Sequence, residues 1–289
     1  MLTKHKIDRF NSCHELYFSL APITLFMGHS NSGKSSILRH IYYKRNPEKV
    51  LFLNSRRAII PNYYYLKDPI NLVAGINGQY TYPFYIALKK TIPEFDTQLS
   101  SRFKDLNLAQ SISLKQSTTK PNKYKIIGKT LDGTKVEVNK LGTAVNSLLQ
   151  LIILLEFVDN NTTLALDNPD AGLDAQLQAV LADILIDYYV TKGLQFLVET
   201  NSVNLLRRFQ RRIAEGQYYS TKFRVYNVYL DNNYKTRLNT ALVDEAGHIN
   251  NWDDMFMGSS PMDLEVEDLD AMLQANIVQA NILRKLEGG

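Results

Sequence analysis

Residues 28–35 read Gly-His-Ser-Asn-Ser-Gly-Lys-Ser and satisfy G-x-x-x-x-G-K-[ST] at every fixed position. This spacing constrains the fold more than any other feature, because it works in one local setting only. A strand must deliver the loop and a helix must begin where it ends. Both flanks comply. Ile23–Met27 is a β-branched and aromatic run that predicts a buried strand. After the loop, Ile37, Leu38, Ile41 and Tyr42 recur at helical spacing. The residue types follow from phosphate chemistry. Gly28 and Gly33 let backbone N–H groups converge on phosphate oxygens that a Cβ would keep away. Lys34 reaches the β- and γ-phosphates, and the Ser35 hydroxyl is placed to ligate Mg²⁺. Asn31, Ser32 and Ser36 complete the nucleotide-binding set, at a helix N-terminus whose dipole favours the same anion. A guanine-specific relative would carry Asn-Lys-x-Asp. Asn122-Lys123-Tyr124-Lys125 and Asn139-Lys140-Leu141-Gly142 both lack the aspartate, which makes ATP the expected nucleotide. Position alone nominates Arg9 and Phe10 for the base and ribose.

A second element lies at Thr163–Asp174, Thr-Leu-Ala-Leu-Asp-Asn-Pro-Asp-Ala-Gly-Leu-Asp. An apolar strand that ends in a carboxylate is the usual second Mg²⁺ anchor of P-loop proteins, so Asp167 joins Ser35 as a candidate metal residue. A strand-ending aspartate that merely caps a turn is the plainer alternative. Around these motifs the order is regular. A buried helix is expected over 143–158, a strand over 162–166, and a helix capped by Asp174 that puts Leu177, Leu181, Ile184, Leu185 and Tyr188 on one face. A strand over 194–198 and a helix over 202–214 follow, then strands over 223–230 and 238–243. Alternating strand and helix imply an α/β fold with a mainly parallel sheet covered on both sides. Residues 54–140 read differently. A helix starting near Pro83 and short strands near 112–114, 124–127 and 135–138 predict a small antiparallel accessory lobe within a single 1–289 domain.

Charge is uneven. The net charge of +4 combines −8 over residues 241–289 with +12 over the rest. A basic body suits an anionic partner, nucleotide or nucleic acid, although the acidic segment could equally fold back on it. That segment is expected to end in a helix starting at Ser260-Pro261. The longest apolar run, 148–158, has 11 residues and contains Glu156, short of the roughly 20 a membrane span needs. The charged N-terminus lacks an apolar signal region, so a cytoplasmic protein with no membrane partner is expected. Cys13 is the only cysteine and cannot form an internal disulfide or a zinc site by itself. Arg207, Arg208, Arg211 and Arg212 form a basic stripe on one predicted helix. An acid-paired face is the favoured reading, with nucleic-acid phosphates as the alternative.

Asp-x-Pro-x-x-Gly-Leu-Asp at 167–174 resembles the Walker B and D-loop of ABC-type ATPases, and Phe196–Ser202 resembles their switch-loop strand. More narrowly, the chain resembles the RecF/SMC-like, OLD-related ATPases of bacterial defence and mobile-element loci. Ala21-Pro22-Ile23-Thr24, Gln178-Ala179, Leu181-Ala182-Asp183, Val198-Glu199-Thr200 and the 205–216 helix carry that likeness. Gly75–Tyr80, Asp244–Gly247 and Trp252 add to it less specifically. The resemblance implies an ABC-type P-loop NTPase head, with a mainly parallel sheet and a small antiparallel β lobe, that uses ATP and Mg²⁺. No heptad run predicts a long coiled-coil insertion.

Three positions depart from the family pattern. The residue after the Walker B aspartate, a glutamate in working sites, is Asn168. An amide can orient water but cannot take its proton, and Asp170 is the candidate substitute. The switch histidine is replaced by Asn201, which can still donate a hydrogen bond over a shorter reach. The signature turn aligns with 141–147, where Gly142, Asn146 and Ser147 would act in trans and Ala144 stands for a glycine. The resemblance therefore implies slow hydrolysis by a dimerising or higher-order switch that controls an effector, such as a nuclease in an anti-phage system. A non-hydrolysing nucleotide-binding scaffold and a DNA-repair ATPase that binds DNA directly are the alternatives.

Overall fold

A computed structural model describes residues 1–44, 50–55, 60–66 and 80–249. The strand that carries the phosphate loop, β3 (Ile23–Met27), is buried at every position. It lies inside an eight-stranded sheet whose other members are β1 (Lys4–Phe10), β2 (Cys13–Ser19), β4 (Val50–Leu53), β9 (Thr163–Asp167), β10 (Gln195–Glu199), β11 (Phe223–Leu230) and β12 (Thr236–Ala241). The order is β1-β2-β12-β11-β3-β10-β9-β4. Strands β11, β3, β10, β9 and β4 run parallel, and the β1/β2 and β11/β12 hairpins extend them at one edge. A single parallel pairing, Thr236 with Cys13, joins the two hairpins.

The parallel strands are buried on both faces, and their side chains alternate between two cores. Phe26, Ala165 and Leu197 pack with Ile37, Leu38 and Ile41 of α1 (Lys34–Lys44). Leu25, Leu164, Leu166, Phe196 and Val198 face the other way, toward α4 (Thr143–Phe157), α5 (Ala175–Lys192) and α6 (Val203–Ala214). Asp174 caps α5 by accepting from Leu177 N at 2.9 Å, as its position predicts, and Ser202 caps α6 by accepting from Leu205 N at 3.0 Å. At the far end of α4, Lys192 donates to the carbonyls of Leu155, Glu156 and Val158 at 2.7–3.0 Å, satisfying groups the helix itself leaves open.

The middle of the chain holds a second, antiparallel sheet. It contains β5 (Tyr64–Tyr65), β6 (Ser111–Gln116), β7 (Lys123–Lys129) and β8 (Lys135–Glu137). Two helices precede β6: α2 (Thr81–Thr91) and α3 (Phe95–Asp105). The strand readings near 112, 124 and 135 match β6, β7 and β8, whereas α3 is a helix that the sequence reading left out. Tyr85 and the backbone of Leu114 both reach Asp96 on α3, at 2.8 and 3.2 Å, fixing the helix to the sheet. Ile112, Leu114, Ile126 and Val138 belong to the same buried cluster as α4 and α5, so this sheet shares the main core. The helix expected from Ser260, Trp252 and residues 75–79 lie outside the described residues. No helix among the described residues is long and apolar enough to cross a membrane.

Candidate functional site

Because β3, β9 and β10 are parallel, their carboxyl ends meet at one edge, the usual ligand edge of an open α/β sheet. That edge collects Gly28, Asp167 and Glu199. The loop between β3 and α1 is held tightly from behind. Gly28 has φ +139°, and a Cβ there would stand 2.0 Å from the backbone oxygen of Val228 on β11. At Gly33 a Cβ would stand 2.2 Å from Thr236 Oγ1 on β12. Thr236 braces the loop directly. Its hydroxyl donates to Ser32 O at 2.8 Å, lies 2.7 Å from Ser12 Oγ, and its N–H donates to Ser12 O at 2.8 Å. Asn11 Nδ2 donates to Ser36 Oγ at 3.0 Å from the β1/β2 turn. The sequence reading missed Thr236 and Ser12, since the two lie 224 residues apart and nothing local joins them.

Lys34 is 4% exposed, and its ammonium donates to Gly28 O and His29 O at 2.7 Å each. Burial lowers its pKa, while Glu199 and Asp167 oppose the shift. Asn31 holds a left-handed backbone, φ +65°, and Ser32 Oγ is buried with no hydrogen-bond partner among the described residues. A loop whose glycines leave no room for a Cβ, a buried cation and an unpaired hydroxyl just before a helix start fit a polyphosphate.

Opposite the loop, Asp167 is 3% exposed and accepts from Asn168 Nδ2 at 3.0 Å. Asn168 itself has φ +44°, and its N–H donates to Glu199 O at 2.9 Å, tying the ends of β9 and β10 together. Asp170 accepts from Thr200 Oγ1 at 2.8 Å. With its amide nitrogen facing the acceptors, Asn201 donates to Gly28 O at 2.7 Å and Thr200 O at 3.0 Å, so the residue expected at a switch position touches the loop. Glu199 is buried, and desolvation with the neighbouring Asp167 charge pushes its carboxyl up to about 7; Ser35, Lys34 and Arg39 pull the other way. The sequence reading placed Glu199 in the switch strand only. Its register opposite Asp167 is a property of the sheet.

The 142–147 turn lies apart from α1, since α4 belongs to the core on the other face of the sheet. Gly142 opens α4 with φ +101° and ψ 166°, and a Cβ there would meet nothing within 4 Å. Asn146 Nδ2 donates to Gly142 O at 2.8 Å, and Ser147 Oγ donates to Ala171 O at 3.4 Å. The structure thus ties 142–147 to the 168–174 loop, and ties Asn168, Asp170 and Asn201 to the phosphate loop and the ends of β9 and β10. Three arginines of the stripe, Arg208, Arg211 and Arg212, are acid-paired. Arg208 and Arg212 both grip Asp183, at 2.7 and 2.6 Å, and Arg211 and Arg212 reach Glu215 at 2.7 Å.

No family model and no curated protein matches the chain. Solved structures do. An SMC head bound to the C-winged-helix domain of ScpA aligns with TM-score 0.55 and 14% identity, over 85% of this chain and 98% of its own. The SMC head domain from Thermotoga maritima aligns with TM-score 0.47 and 12% identity, over 83% and 98%. An Smc head with an extended coiled coil, bound to the C-terminal domain of ScpA and derived from Pyrococcus furiosus, gives TM-score 0.42 and 14% identity over 56% of this chain. The match spans 38% of that longer chain. Strand order, the loop at the β3–α1 junction and the likeness to the SMC head at TM-score 0.55 agree: the chain has the α/β P-loop fold of an SMC head, with a small antiparallel sheet added.

Proposed function

We propose that the chain is an ATP-dependent switch of the ABC type, in which the head binds Mg·ATP, pairs with a second copy or a related chain, and hydrolyses slowly. The observation that carries this reading is the meeting of a buried Lys34, the braced loop and Asp167 at one strand edge. Gly28 and residues 31–36 would hold the phosphates through backbone N–H groups, and Lys34 would exchange its two carbonyl partners for phosphate oxygens. Ser35 and Asp167 would hold Mg²⁺, which supplies charge neutralisation at the transferred phosphate. Asn168 and Asn201 would orient the attacking water without taking its proton, with Asp170 the candidate substitute acid. Gly142, Asn146 and Ser147 would cap the γ-phosphate of the facing copy, which suits a turn on the opposite side of the sheet from its own α1. Residues 54–140 would act as an accessory lobe and 241–289 as an acidic segment. In this reading the chain works in the cytoplasm as the control element of a separate effector such as a nuclease, a role that the OLD-like motifs suggest. One SMC head of the same fold was solved with a partner protein, ScpA.

The test combines light scattering with phosphate release. Wild type should gain mass with Mg·ATP and turn over slowly, Lys34→Ala should do neither, and Asn168→Glu should raise turnover. An unchanged monomer with no turnover in any of the three would refute the switch. ATP binding with no turnover from wild type or Asn168→Glu would favour the scaffold reading.

One observation favours nucleic acid as an additional partner. The outward face of the small sheet carries Lys115, Lys123, Lys125, Lys129 and Lys135, with Glu137, 3.8 Å from Lys125, as the only carboxylate among its described strands. Lys123 lies over the rings of Tyr63 and Tyr65, at 4.3 and 5.6 Å. This face suits a phosphate backbone better than the acid-paired α6 does.

A further inference from the structure

The carboxyl ends of β9 and β10 place two carboxylates where the phosphate-loop reading needs only one. Asp167 and Glu199 are paired in register on parallel strands, so their side chains leave the same face of the sheet, on strands spaced about 4.8 Å apart. That face is the α1 side, because Ala165 and Leu197, two residues earlier on each strand, pack against Ile37 and Leu38. The first turn of α1 carries Lys34 and Ser35. Glu199 is 5% exposed, and its Oε2 has no hydrogen-bond partner among the described residues. A buried carboxylate oxygen without a donor is costly unless something else satisfies it. Asp167 has one of its oxygens bonded by Asn168, and Ser35 hydrogen-bonds the Glu199 carboxyl, so the open position is Glu199 Oε2.

Two buried carboxylates therefore face one buried ammonium, which is turned to Gly28 O and His29 O, and the further cation acting on Glu199, Arg39, is exposed to solvent. If Lys34 is drawn further toward phosphate, the imbalance at the strand ends grows. A divalent cation beside Ser35 corrects it: hard, oxygen-seeking, and small enough to be bound through one or two carboxylates and phosphate oxygens. We propose that Glu199 is a second carboxylate of the Mg²⁺ site, completing with Asp167 and Ser35 the coordination sphere of the nucleotide-bound cation. The inference rests on the phosphate-loop reading above and adds to it a residue that the Walker B pattern does not contain. It also gives a reason for Asn168. With a second acid already at the metal, an amide at 168 can bond Asp167 Oδ1 and join the strand ends without adding a third negative charge.

The test uses Mn²⁺ as the probe, followed by electron paramagnetic resonance of free and bound ion, with full-length protein and ATP. Circular dichroism checks that Glu199→Gln, close to isosteric, is folded. Glu199→Gln should weaken Mn²⁺ affinity for the protein–ATP complex by about ten-fold or more, since losing even a residue that only supports a metal ligand costs about that much. ATP affinity measured with EDTA should stay unchanged. Mn²⁺ affinity within two-fold of wild type would overturn the inference and leave Glu199 as a buried structural acid. If Glu199→Gln does not fold, Glu199→Asp keeps the charge and withdraws it by one methylene. It should also weaken Mn²⁺, and unchanged affinity in that variant would overturn the proposal equally. Failure of wild type to bind ATP at all is a separate result, which would refute the functional reading itself.

Discussion

Replacing Gly28 by alanine should destabilise the protein through a collision that can be separated from backbone strain. At Gly28 the new Cβ would fall 2.0 Å from Val228 O and 3.0 Å from its carbonyl carbon, both main-chain atoms in the interior of β11. No rotamer change relieves that overlap, so β3 or β11 must move within a sheet buried on both sides. Holding a non-glycine residue at φ +139° costs about 1–3 kcal/mol, and displacing packed backbone adds about another 1–3 kcal/mol. Gly142→Ala supplies the control. Its φ of +101° incurs the strain, but the space around its Cβ is open. Urea unfolding of both variants, with slopes compared to confirm two-state behaviour, should show Gly28→Ala less stable than Gly142→Ala by about 1–3 kcal/mol. Equal losses within about 0.5 kcal/mol would refute the close approach of β11 to the phosphate loop.

Three further outcomes follow from the same contacts. Thr236→Val removes the donor to Ser32 O and the neighbour of Ser12 Oγ, so it should cost about 1–3 kcal/mol in urea unfolding and weaken ATP binding through a looser loop. For Asp183, burial alone would raise the carboxyl, but hydrogen bonds from Arg212 and Arg208 outweigh it and hold the pKa below its ordinary 3.8. The sign is that of a depressed acid: its stabilisation is present above about pH 4 and is lost as pH falls through the folded value. Asp183→Asn should thus cost about 1–3 kcal/mol at pH 7, and the gap to wild type should close in acid. Charge reversal of Lys123, Lys125 and Lys129 should weaken duplex DNA binding and lower the steepness of its salt dependence by about one unit per lost phosphate contact, as read by fluorescence anisotropy. An unchanged salt slope would remove nucleic acid from that face.

What could be read from the sequence was what local chemistry dictates. The Gly28–Ser35 motif needed a strand before it and a helix after it, and the structure has β3 and α1 there. Asp174 announced the start of α5, and the 163–167 strand follows from its unbroken apolar run into Asp167. Helix α3 was also legible, since Phe95, Leu99 and Phe103 recur at i, i+4 and i+8 and are its buried residues. It was missed because its overall polarity, with Asp, Thr, Gln and two serines, reads as a loop. The bracing of the phosphate loop by Thr236, Ser12 and Val228 was not legible. It depends on β11 and β12 returning beside β3 and β2 across about two hundred residues of sequence, and no periodicity encodes such a pairing. The same holds for Glu199. Its neighbours in sequence mark it as the end of a buried strand, and only the parallel register sets it beside Asp167. The 207–212 arginines show the reverse case, in which a charge stripe looked available until tertiary structure supplied Asp183.

Isothermal titration of Mg·ATP into wild type and Lys34→Ala tests most directly whether the β3–α1 loop binds ATP phosphates through Lys34. Wild type should bind, and the variant should lose about 1.5–3 kcal/mol, roughly ten- to a hundred-fold in affinity, because a buried charge-assisted contact is removed. Equal affinity in the two proteins, or no binding by a folded wild type, would contradict that role.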